Sequence, residues 1–415
     1  MKKIMSLIIT LIFVVSIFNG CTKKNATETS SQGTGEKVKI EFFQYKQEAK
    51  ETFEKLIQKF EQENPDIDVV QSNPPEASTV LRTRMAKRDV PDIVSVGGDV
   101  TYADLAKAGA FEDLTDSQEL QKIHPQYVQM LKDISGLDKV YAIPYAVNAN
   151  AVIYNKKLFN ELGLTVPKTW DEFIAVAEKT KKAGKIPFYF TFKDSWTTLP
   201  AFNVLAADTQ GDSFFAERRE GKTTFKERYK EAADKFLKLV EYGHNDNFGK
   251  GYVDGNIAFA KGESVMYLQG IWAIPEIKKA NPDIELGVFP YPVTNDPSKN
   301  KVVSGVDLLF AISKTSKNPE AARKFVNFLL REDIAKEYLS EQNAFSAIQG
   351  VVKEDKDLEG LKDSFNNGLI VDFPDHYVPN SMALDRQLQQ LVLDKNVDAF
   401  LTTLDNEWDK AQTRK

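Results

Sequence analysis

The feature that most constrains this chain is a regular exchange between two hydrophobic periods. Val38, Ile40 and Phe42 alternate with Lys39 and Glu41 before the pattern breaks at Gln44-Tyr45, which is the period of a half-buried strand. Within 46–63, Phe53, Leu56, Ile57 and Phe60 recur at spacings of three and four, the stripe of an amphipathic helix. Asn64-Pro65-Asp66 stops it, and the next strand opens at Ile67. This β-α-β unit predicts a parallel pair with a right-handed crossover.

The exchange continues. A helix is predicted over 78–88 around Leu81 and Met85, a short buried strand over 91–99 ending at a glycine pair, and a helix closing at Gly109. Thr169 and Glu172 have capping-box spacing for a helix that ends at Gly184. A strand is expected over 185–192 and another at Val265–Leu268, stopping at Gln269-Gly270. A further helix opens with Asn318 as cap and Pro319 in its first turn. Strands that alternate with helices throughout predict an α/β fold. With 415 residues there is enough chain for two domains or lobes.

Several function classes drop out. Lys and Arg total 54 against 60 Asp and Glu, so no basic footprint for nucleic acid is present. His124, His244 and His376 are far apart, which argues against a histidine-based metal site. Gly221-Lys222-Thr223-Thr224 has the end of a phosphate loop, but Ala216 stands where its first glycine is needed, and a helix period follows. No cofactor motif emerges. Aromatic residues make up 11% of the chain, enough to supply flat stacking partners as well as a core.

The single cysteine, Cys21, excludes an internal disulfide. Lys2 and Lys3 precede an apolar run from Ile4 to Phe18, too short for an ordinary membrane span, and Asn19-Gly20-Cys21 follows. This segment resembles a bacterial lipoprotein signal, with Phe18 where leucine is usual. The resemblance implies a signal over 1–20, lipid (palmitate) on Cys21, and a flexible linker over 21–36, whose residues after Cys21 lack large apolar side chains.

Four stretches resemble the family 1 extracellular solute-binding proteins of ABC importers, the group that includes maltose-binding protein. They are the segment from Val90 to Thr115, the run from Tyr141 to Phe173 with its Tyr-Asn-Lys and Pro-x-Thr-Trp elements, the segment from Gly255 to Ile274, and the segment from Lys314 to Gln342. Ala344-Phe345-Ser346 departs from a pattern that often holds Gly and Pro. The resemblance implies a two-lobed periplasmic-binding-protein-like fold, with a ligand cleft between lobes joined by several hinge crossovers. One lobe would hold 37–146 plus 306–350, and the other 147–305 plus 351–415. Crossings would fall near Pro144–Val147, Ser304–Val306 and Ala347–Val351. It further implies a monomeric receptor, not an enzyme, that carries oligosaccharide to the permease subunits of an ABC importer. The receptor would be held by its lipid on the extracellular face of a Gram-positive cell membrane.

Candidate site residues follow from strand exits and from that resemblance. The resemblance places Trp272, two residues past Gly270, where the family presents an aromatic ring to sugar; the rival role is core packing. Trp196, after the predicted strand at 185–192, is a second stacking candidate or a lobe-packing residue. Tyr145 is expected at the hinge, to stack, to donate from its hydroxyl, or only to pack. Asn148 can bind two hydroxyls through its amide or serve a turn. Asp99 either accepts from sugar hydroxyls or caps the following helix. Asp307 is a charge inside an apolar run and faces the cleft or pairs with a base across the lobes. Gln44 and Tyr45 end the first strand at the edge expected to face the cleft. Arg386 reaches the cleft or lies on an exposed helix face. Two other functions stay open: a surface-anchored carbohydrate-active enzyme with a carboxylate pair at glycosidase separation, and the same fold binding a non-sugar solute.

Overall fold

The computed structural model describes residues 37–413 except 76 and 352–355. The signal, Cys21 and the linker lie outside the described residues. In chain order the strands are β1 (Val38–Gln44), β2 (Ile67–Ser72), β3 (Ile93–Ser95), β4 (Ile143–Asn155), β5 (Ile186–Phe188), β6 (Ser264–Gly270), β7 (Leu286–Phe289), β8 (Val302–Ile312), β9 (Phe345–Ser346) and β10 (Ile370–Val371). They join in the order β2-β1-β3-β8-β4-β6-β5, with β7 and β9 also pairing with β4, and β10 with β8.

The opening unit forms for the reasons its pattern gives. β1 and β2 pair in parallel, and the helix Lys50–Glu63 buries Phe53, Leu56, Ile57 and Phe60. The Phe42 and Phe53 rings meet edge to face at 5.0 Å, a geometry that adds to their area burial. This helix starts at Lys50 and not at 46, because Lys46 turns aside into an ion pair with Asp307.

The apolar interior is divided. One core takes β1 to β3, β4 up to Val147, β8 from Val306 onward, and the helices Pro319–Leu329 and Glu332–Gln342. From Ala149 onward on β4, and up to Val303 on β8, side chains join separate cores built with β5, β6 and β7. β4 and β8 are long antiparallel partners that run through both regions, and their register shifts between Pro144 and Val147. Such irregularities bend a strand. They lie next to the point at which β4 passes from one core to the others. β9 adds a third segment there by pairing Ser346 with Ala146.

Three local expectations change. The strand expected over 185–192 is ordered as strand only over Ile186–Phe188. Beyond it, the Phe190 carbonyl pairs with His244 Nε2 at 2.8 Å and the Phe192 carbonyl accepts from Gln389 Nε2 at 2.6 Å. Side chains satisfy this backbone in place of a neighbouring strand. Asn318 sits at its helix N-terminus, yet its amide donates to the Lys39 carbonyl at 3.0 Å instead of capping. The helix after Thr224 breaks at Tyr229, whose buried hydroxyl donates to Gln210 at 2.8 Å.

Candidate ligand-binding cleft

A cavity of about 780 Å³ lies at the junction of the two regions. Tyr45 to Glu48 enter it just after β1, Gly97 and Asp99 just after β3, and Trp272 just after β6. Asn148 and Asn150 on β4, and Val306 and Asp307 on β8, form its floor. The segments after β1, β3 and β6 are strand exits, where open α/β sheets collect ligands. The facing wall comes from Trp196, the start of the helix Leu199–Gln210, the helix Tyr252–Ala260, and the turn Pro374–Tyr377.

On the β1 side a charged cluster is fixed to β8. Lys46 Nζ lies 2.5 Å from Asp307 Oδ2 and 3.3 Å from Glu48. Tyr45 donates to the Asp307 carbonyl at 2.6 Å. Burial works against the Lys46 charge, but the Asp307 and Glu48 carboxylates outweigh it and raise its pKa. Burial, and then the Asp307 charge, push the Tyr45 phenol well up. Asp307 therefore faces the cleft and is paired, although its base is the nearby Lys46 of the same core region and not one reached across the lobes.

Asp99 serves as cap and as lining. It accepts from the Thr101 and Tyr102 amides at 2.7 and 3.4 Å. The preceding Gly98 lets the chain press against β8: a Cβ there would fall 2.8 Å from Val306 Cβ, and the Gly98 amide already donates to the Val306 carbonyl at 2.8 Å. Gly270 answers a similar need. The Trp272 ring folds back over it, so a Cβ would fall 1.9 Å from the ring. The half-buried indole is thereby laid along the cavity wall. Trp196 lines the mouth at 39% exposure, with its ring 4.9 Å from Tyr252.

Amides cover much of the remaining surface. Asn148, Asn150 and Asn256 are buried lining residues, and the side-chain oxygen of each has no hydrogen-bond partner among the described residues. Asn150 donates to the Pro200 carbonyl at 2.9 Å. Asn203 donates to Asp375 at 2.8 Å and accepts from its amide at 3.2 Å. Burial raises the Asp375 pKa. His376 lies 3.1 Å from Asp372. Burial opposes its charge, but Asp372 prevails and brings its pKa up to about 9.

Tyr45, Asp99, Asn148, Trp196, Trp272 and Asp307 thus meet in one cavity. Three expected residues lie elsewhere. Gln44 is fully buried and donates to Gln71 at 2.9 Å; strand alternation turns it away from the side that Tyr45 takes. Tyr145 is core, its ring 4.8 Å from Phe310 and 5.1 Å from Tyr338. Arg386 is exposed on the helix Leu384–Asp394, whose inward positions are Leu384, Leu388 and Leu391; two residues along a helix is more than half a turn. No residue of 343–348 lines the cavity, and Phe345 packs on Phe365 at 4.5 Å. The residue reading missed Lys46, Glu48, Asn150, Asn203, Tyr252, Asn256, Asp375 and His376. Asn150 had a signal, since it lies two residues from Asn148 on the same strand face.

Two α/β regions crossed by shared strands, with a cavity at their strand exits, define a two-lobed solute-binding protein. The chain belongs to the bacterial extracellular solute-binding protein family, whose profile matches residues 45–336. It is 33% identical over 346 residues to the multiple sugar-binding protein of Streptococcus mutans serotype c, covering 81% of this chain and 80% of that one. The melibiose/raffinose/stachyose-binding protein MelE of Bacillus subtilis is 25% identical over 352 residues, covering 81% and 79%. The structure of RafE in complex with raffinose superposes with a TM-score of 0.78 at 28% identity, covering 90% of this chain and 99% of that one. The family is one of extracellular binding receptors.

Proposed function

We propose that this chain is an oligosaccharide receptor that hands its sugar to an ABC importer and catalyses no reaction on it. One observation carries the reading: two tryptophan rings and a set of asparagine side chains line a single cavity. Trp272 and Trp196 offer faces for the C–H side of a pyranose. Asn148, Asn150 and Asn256 bring amide groups, which can both donate and accept, to the hydroxyl rim of the sugar. Raffinose in RafE and the sugars named for MelE support the ligand class.

The lobes are 37–146 plus 306–350 and 147–305 plus 351–415, and they close on the sugar by bending at β4 and β8. The receptor acts as a monomer, held at the outer face of a Gram-positive membrane through lipid on Cys21, and docks on the permease subunits. Calorimetric titration with raffinose, stachyose and maltotriose tests the ligand class, and each mixture is then assayed for cleavage. Saturable binding of intact sugar, weakened in Trp272→Ala, is the expected result. Cleaved sugar would establish the enzyme alternative, and no binding across a wide oligosaccharide panel would move the ligand to another solute class.

A further inference from the structure

The charge of the cleft narrows the sugar class, given the carbohydrate reading above. Glu48, Asp99, Glu276, Asp307 and Asp375 all line the cavity. Against these carboxylates stand only Lys46 and His376, and no arginine is among the described lining residues. Both cations are engaged. Lys46 is held between Asp307 and Glu48 at 2.5 and 3.3 Å. His376 pairs at 3.1 Å with Asp372, a buried carboxylate outside the lining.

Anions are usually held by arginine forks or by helix N-terminal amides. Here Asp99 occupies the start of the helix Val100–Lys107, accepting from two of its free amides. Glu276 sits in the first turn of the helix Ala273–Ala280, which Trp272 opens onto the cavity. Neither Asp99 nor Glu276 has an ion-pair partner among the described residues. A protein-walled cleft focuses the field of such a set.

We infer that this cleft admits uncharged sugar chains and rejects those bearing carboxylates, by repulsion and not by shape. A primary alcohol and a carboxylate at the same carbon are similar in size, so steric fit alone separates them poorly. Specificity here comes from a built-in unfavourable contact for the wrong ligand.

The test titrates the protein with raffinose, stachyose and maltotriose, each beside the same sugar oxidised at a primary alcohol to the carboxylate. At low salt the acid form should bind more than about tenfold weaker than its parent, about 1.4 kcal/mol. Raising salt to about 0.5 M shortens the screening length to a few ångström and should narrow the gap, as should Glu276→Gln. An acid form that binds as well as its parent overturns the inference and leaves the sugar reading intact. A gap that responds to neither salt nor Glu276→Gln belongs to shape, and overturns it too. If no neutral sugar binds, the carbohydrate reading itself falls and takes this inference with it.

Discussion

Gly270→Ala should damage the cleft through the ring it supports. Gly270 closes β6 opposite Asn150 on β4. A Cβ at this position would fall 1.9, 2.1 and 2.2 Å from three atoms of the Trp272 ring. Contacts that short force a displacement. The strand is tied on one side by its ladder to β4, whereas the half-buried indole borders open cavity, so the ring is the part that moves. Overpacking of this kind costs about 1–3 kcal/mol of stability. Loss of the stacking geometry removes about 0.5–1.5 kcal/mol beyond area, and a ring swung into the cavity also obstructs the ligand. Sugar affinity should therefore fall roughly tenfold or more. The assay is calorimetric titration of the variant alongside urea melts, with Trp272→Ala and the double variant completing a cycle. In the Trp272→Ala background the stability cost of Gly270→Ala should largely vanish, because the clashing atoms are gone. Wild-type affinity in Gly270→Ala, or an undiminished cost in the double variant, would refute the reasoning.

Other outcomes follow from the same geometry. Lys46→Met leaves the half-buried Asp307 carboxylate without its cation, and should cost about 1–3 kcal/mol in urea melts; a loss under about 0.5 kcal/mol would mean cleft solvent already screens the pair. The folded value of His376 lies above its unfolded one, so its charged form is favoured by folding. That contribution is complete below about pH 6.5 and disappears as pH rises through about 9. Melts from neutral to alkaline pH should show this decline, and His376→Asn should flatten it. Tyr145→Phe removes a buried hydroxyl that has no hydrogen-bond partner among the described residues, and should be neutral or slightly stabilising with sugar affinity unchanged. Arg386→Ala should shift stability by no more than about 0.5 kcal/mol and leave binding alone.

The sequence by itself determined the elements and their class. Period-two and period-3.6 patterns act over a few neighbouring residues, so β1, the helix after it and the Thr169–Glu172 capping box were legible without any partner. Strand exits were legible for the same reason, which is why Tyr45, Asp99 and Trp272 were found. Tertiary structure decided which side chains share a surface. Asn203 and Asn256 sit within helices, and nothing local distinguishes them from helix-facing polar residues until those helices dock against the cleft. His376 and Asp375 arrive from a turn more than a hundred residues beyond β6 and are held in the wall by hydrogen bonds to Asp372 and Asn203. Tyr145 went the other way: a residue at the bend of β4 was drawn into the core by Phe310 and Tyr338, which come from distant parts of the chain. Pattern reports what a segment would bury, whereas a binding surface depends on what the rest of the chain leaves uncovered.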